Sequence, residues 1–191
     1  MKYDIVYREL LREGMEGRST RFTVRGIARE AGVPASTVSH SLKPLKEMGA
    51  ITMSGQGFRL SNSKKALLYW CSVRRLSTSV VYRTWLRMRI EEIEGAVPPA
   101  AVFTAYTAFK LRFNFVPAEY GEVVAYGRRE DFIKRFGEER AEGGRFNMIA
   151  LRSDPHLERL GRATLAQIYV DLWNLESWYA QDFLNALEER M

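Results

Sequence analysis

Apolar positions early in the chain recur at three- and four-residue steps, and near residue 50 the pattern changes to alternation. Tyr3, Ile5, Val6, Tyr7 and Leu10 fall near helical spacing, which predicts a helix over residues 2–13 closed by Gly14 and Gly17. Residues 18–20 read as a loop and 21–23 as a short strand. Thr23 is placed to cap a second helix over 24–30, with Ile27 and Ala28 facing inward and Gly32 as the turn glycine. A third helix starts at Pro34 or Ala35 and runs toward Met48 on a stripe of Val38, Leu42 and Leu45. Pro44 lies inside it, which predicts a kink or an early end. Residues 50–53 and 58–60 then read as two strands joined by the turn Ser54-Gly55-Gln56-Gly57.

Further along, Ser63 is placed to cap a helix over 64–70, and a longer helix is expected over 79–94, ended by Gly95 and Pro98-Pro99. Behind the double proline the pattern gives a helix at 104–113, a strand at 122–126 and a helix at 129–136. A loop at 137–145, a strand at 146–151 and a helical end over 165–189 follow. The expected class is α+β: a front module over 1–61, a helical basic linker or dimerisation segment over 62–97, and a C-terminal α/β domain over 98–191.

The stretch from Thr23 through Gly32-Val33-Pro34 to Leu42 resembles the helix-turn-helix of bacterial and archaeal winged-helix regulators. Gly32 suits the positive φ of the tight turn, Ala31 allows close helix crossing, and Val33 plugs the space between the helices. The third helix then presents Ala35, Ser36, Thr37, Ser39, His40 and Lys43 outward. Short, polar or basic side chains let a helix approach base edges in the major groove, and Lys43 can meet a phosphate. Gln56 at the hairpin tip and Arg59 on its second strand are placed for the adjacent minor groove or backbone. Arg21 and Arg25 flank the start of the second helix, whose amides also favour a phosphate. These ten residues are the candidate contacts to double-stranded DNA. A palindromic site read by two such helices implies a homodimer.

Charge supports that reading. Residues 1–60 carry ten Lys/Arg against six Asp/Glu, 61–90 carry seven and no acid, and 91–191 carry twelve against seventeen. A basic front on a mildly acidic rear fits a polyanion-binding module joined to something else. Trp70, Tyr82 and Trp85 interleave with Arg74, Arg75, Arg83, Arg87 and Arg89; that pattern fits single-strand stacking, and fits better aromatics in a core with arginines toward solvent. Cys71, the only cysteine, excludes an internal disulfide and reads as a small buried hydrophobe. No apolar run of about 18 residues indicates a membrane span. Arg8, Glu9, Arg12 and Glu13 break any signal-peptide core, so the expected location is the cytoplasm.

Two rear stretches, Phe103-Thr104-Ala105-Tyr106-Thr107-Ala108-Phe109-Lys110 and Gln167-Ile168-Tyr169-Val170-Asp171-Leu172-Trp173, are similar to the rear half of the AbiE-type antitoxin family. The resemblance implies a winged helix joined to a small α/β domain, a toxin partner, and repression of the protein's own operon. Asp171, inside an apolar run, is expected to cap, to pair with an arginine, or to mark a site. No Gly-rich phosphate loop or Walker pattern is present, and Asp131, Asp154, Asp171 and Asp182 have no metal-binding spacing. The reading is a regulator and not an enzyme, with no cofactor and no metal. A ligand-sensing rear domain stays open as an alternative, as does a nucleotidyltransferase-like enzyme on a DNA-binding anchor.

Overall fold

The computed structural model describes residues 2–17 and 19–191; the loop reading at Arg18 lies outside them. The chain forms two compact units, one of Met1–Arg74 with Thr164–Val170, the other of Arg75–Ala163 with Asp171–Met191.

In the first unit, α1 (Lys2–Leu11) continues as a wide helical turn through Arg12–Glu16. It buries Val6, Leu10 and Leu11, while Tyr3 stays half exposed. A strand β1 (Arg21–Phe22) leads to α2 (Val24–Ala31) and α3 (Ala35–Glu47). Strands β2 (Ile51–Ser54) and β3 (Gly57–Leu60) form a tight antiparallel hairpin in which Ser54 pairs with Gly57. β1 joins the free edge of β3, giving a three-stranded sheet in the order β1-β3-β2. Gly57 has φ +149, and a Cβ there would stand 2.2 Å from the Phe22 carbonyl oxygen, so the close approach of β1 needs glycine. The helix α4 (Ser63–Val73) is capped by Asn62 and packs on α1 and α3, burying Trp70 and Cys71 as a small hydrophobe should be buried.

The second unit corrects the expected helix over 79–94. Residues Val80–Thr84 are a strand, β4, and only Ile90–Ala96 is helical, as α5. The local physics is β-like: Tyr82 and Thr84 are buried while Arg83 between them is exposed, a period of two. The segment 62–97 is therefore not one helical linker, since α4 lies in the first unit and β4 and α5 in the second. Pro98 and Pro99 lie inside the second unit, where Ala101 N–H bonds back to the Pro98 carbonyl at 2.9 Å before β5 (Val102–Phe103) begins. With Trp70 and Tyr82 fully buried, base stacking on them is excluded.

The remaining elements follow the expected order except for an added short helix after the last strand. They are α6 (Ala105–Phe113), β6 (Val123–Gly127), α7 (Arg129–Phe136), β7 (Met148–Arg152), α8 (Pro155–Leu160), α9 (Leu165–Trp173) and α10 (Ala180–Glu188). The expected helix over 165–189 is thus two helices. The sheet order is β4-β7-β6-β5; β6 and β7 run parallel through the crossover α7, and both outer pairings are antiparallel. Four successive buried residues in β6, Val123 to Tyr126, match a strand covered on both faces. Tyr82, Ile93, Phe132, Met148 and Ala150 form one core layer. Tyr106, Phe109 and Phe183 pack edge-to-face at 4.9–5.1 Å between α6 and α10. Asp171 is fully buried and accepts from Thr104 Oγ1 at 2.7 Å and Tyr126 Oη at 2.6 Å, which ties the end of α9 to the sheet. Within the aromatic tail, Tyr169 and Phe183 are core, but Trp173 and Trp178 are exposed. Among the described residues no helix is long and apolar enough to cross a membrane.

Candidate nucleic-acid interface

The helix-turn-helix is set by local chemistry. Thr23 Oγ1 accepts from Gly26 N–H at 2.9 Å and caps α2. At the other end Gly32 adopts φ +68, and Val33 N–H reaches back to the Ala28 carbonyl at 3.0 Å, closing the helix in the left-handed manner that glycine permits. Pro34 then supplies the extended residue before α3 and accepts from the amides of Thr37 and Val38. Ile27, Ala28 and Ala31 of α2 meet Val38, Leu42 and Leu45 of α3, all buried.

Pro44 does not end α3, which runs on to Glu47. A proline there leaves the His40 carbonyl without its helical donor and crowds the preceding turn. Neighbouring groups hold the helix across that gap. Tyr7 Oη donates to the Ser41 carbonyl at 2.9 Å, and Ser41 Oγ donates to the Thr37 carbonyl at 2.8 Å. Burial pushes the Tyr7 phenol well above its ordinary value, so it stays protonated and able to donate. Beyond the last turn, Lys65 Nζ donates to the Met48 carbonyl at 3.1 Å, placing a cation where the helix dipole is negative.

The opposite face of α3 is open. Ala35, Ser36, Ser39, His40 and Lys43 are exposed, and Thr37 is half-buried. Arg21, Arg25, Gln56 and Arg59 are exposed as well, with Gln56 in the two-residue tip between β2 and β3. What strand pairing adds is register. Arg21 lies directly opposite Arg59 across β1 and β3, and Thr52 lies opposite Arg59 across β2 and β3. Like charges facing each other across a ladder repel, and neither guanidinium has an acidic partner among the described residues. An anion between them converts that repulsion into attraction. Both arginines line a groove of 760 Å³ together with Thr52 and Gln56. Glu9, Glu13 and Glu30 also line it, but the first two are paired with Arg12 and the third with Arg29.

Thr52 was not singled out from sequence, although the alternation of buried Ile51 and exposed Thr52 points it the same way as Arg59. Tyr7 and Lys65 also act on the site, by holding α3, and their role depends on contacts far along the chain.

A helix-turn-helix with an open second helix, followed by a β-hairpin wing whose Arg59 faces Arg21 of β1, has the architecture of the winged helix-turn-helix class of DNA-binding domains. Residues 20–52 match the family described as Bacterial regulatory protein, arsR family, a span running from the start of β1 through α3 into β2. No curated protein and no solved structure matches the chain. The chain therefore carries the DNA-binding domain of a transcriptional regulator.

Proposed function

We propose that the chain is a sequence-specific repressor that lays α3 in the major groove of double-stranded DNA as a homodimer, and that it has no enzymatic role. The observation that carries the reading is the outward face of α3, where Ser36, Thr37, Ser39, His40 and Lys43 present short polar and basic groups opposite a buried face of Val38, Ser41, Leu42 and Leu45. Arg21, Arg25, Gln56 and Arg59 supply backbone contacts beside that helix, and Ala35 lets it sit close. The likeness of the rear stretches around Tyr106 and Tyr169 to AbiE-type antitoxins extends the proposal to an autoregulator whose second unit meets a toxin.

The test is a selection of bound duplex sequences followed by the variant Ser36→Glu/Thr37→Glu/Lys43→Glu. All three positions lie off the buried stripe, so the unfolding free energy from urea titration should stay within about 1 kcal/mol of the parent while binding to the selected site is lost. A variant that still binds would show that α3 is not the reading helix.

A further inference from the structure

The carboxyl ends of the two parallel strands carry groups that DNA reading does not use. β6 ends at Gly127 and β7 at Arg152, and these residues are register partners. The chain leaves β6 through Arg128 directly into α7, and leaves β7 through Ser153 and Asp154 into α8. Parallel α/β sheets take ligands outside the carboxyl ends of their strands, where helix N-termini present unbonded amides. In this chain that place is a cavity of 610 Å³, lined by Arg128, Arg129, Arg152 and Ser153 together with Glu130 and Glu158.

Three independent features of the lining ask for an anion. First, the guanidiniums of Arg128 and Arg152 make no ion pair or hydrogen bond among the described residues, although they flank the ends of neighbouring strands. Second, Ser153 Oγ is buried without a hydrogen-bond partner, a state that costs free energy until a ligand or water satisfies it. Third, α7 has no side-chain cap, so the amides of Arg129 and Glu130 are left without an acceptor among the described residues. Arg129 itself is held by Glu139 at 3.1 Å. Glu130 and Glu158 offset much of the positive charge, so recognition here rests on directed donors more than on net charge.

We propose that this cavity binds the phosphate group of a small phosphorylated ligand, gripped by Arg128, Arg152, the Ser153 hydroxyl and the first-turn amides of α7. The cavity is larger than one phosphate, so the remainder of the ligand is an organic body esterified to it. This gives the second unit a sensing role that stands whether or not α3 reads DNA.

The experiment titrates inorganic phosphate and, separately, glycerol 3-phosphate into the full chain at constant ionic strength, with binding followed by calorimetry and by amide shifts. Saturable binding is expected with the largest shifts at Arg129, Glu130 and Ser153, and with the ester tighter than the inorganic ion. The double variant Arg128→Gln/Arg152→Gln should weaken the ester by at least about tenfold. Ser153→Ala should weaken it by a smaller factor and slightly raise the thermal stability of the free protein, because it removes a buried hydroxyl that has no partner. Three results overturn the proposal: no saturation up to about 10 mM, where any affinity would be negligible; shifts that map elsewhere; or an ester no tighter than phosphate. Loss of duplex DNA affinity in the double variant, with no phosphate binding by the parent, would reassign the cavity to a DNA backbone contact.

Discussion

Asp4 is 4% exposed, accepts from Trp70 Nε1 at 2.8 Å, and pairs with Arg74 Nη1 at 2.8 Å. Burial alone raises a carboxyl pKa, but neighbouring positive charge, Arg74's foremost, and hydrogen bonds that include the indole's together outweigh it, and the net shift is downward. A carboxylate whose folded pKa lies below its unfolded value stabilises the fold above the unfolded value, and that contribution disappears as pH falls through the folded one. The ordinary carboxylate value near 4 therefore marks where the loss begins. Asp4→Asn keeps the shape but leaves Arg74 buried without its counter-charge, which should cost about 3 kcal/mol at pH 7. In urea unfolding the gap between parent and variant should be constant from pH 7 to 5 and narrow below about pH 4. A gap that does not change across that range would mean that the ion pair contributes nothing through its charge. At this scale the sequence was partly legible. Thr23, Gly32 and Cys71 act through their own backbone or size, so each was read correctly; the Asp4–Arg74 and Tyr7–Ser41 contacts join residues far apart in sequence and carried no local mark.

Among the elements, the helices of the reading module were legible because their caps and apolar stripes are local, and α7 matched its expected span of 129–136. The strand β4 was missed because its alternation covers only five residues, and Leu86 and Ile90 beyond it continue a loose helical spacing. Strand register was not legible at all, yet it holds the most informative feature of the wing, the facing pair Arg21 and Arg59. That pair makes a two-sided prediction for Arg59→Gln. Removing one of two opposed charges should stabilise the free protein by about 0.2–1 kcal/mol in thermal unfolding. The same change should lower the slope of log K against log salt for DNA binding by about 1, the signature of one lost phosphate contact. A variant that is both less stable and unchanged in salt slope would show that Arg59 belongs to the sheet and not to the interface.

At the scale of the whole molecule, two recognition helices are needed to read a palindrome, spaced by about 34 Å along the duplex. The proposed homodimer predicts twice the 22.0 kDa chain mass in light scattering, and a monomer mass at micromolar concentration would remove that part of the reading. The DNA-reading unit is not a contiguous piece of chain, and this has a sharper consequence. Thr164–Val170 belongs to the same compact unit as Met1–Arg74. Gln167 is fully buried and accepts from Arg8 Nε at 2.8 Å, and Leu165 N–H bonds to Glu16 Oε1 at 2.8 Å. Arg8 is only 1% exposed, so a fragment that ends at residue 74 removes an acceptor from a buried guanidinium. A hydrogen bond to a charged group is worth about 1.5–3 kcal/mol, and losing the buried side chains of Ile168 and Tyr169 adds to it. That loss is a large share of the stability of a domain this small. The fragment 1–74 should therefore unfold at a much lower urea concentration than the full chain and bind DNA correspondingly weakly. In the full chain, Gln167→Ala should reproduce part of the same loss. If the fragment instead melts as cooperatively and as high as the intact protein, the segment around Gln167 contributes nothing to the reading module, and the front sixty residues suffice as the alternation and helical spacing alone had indicated.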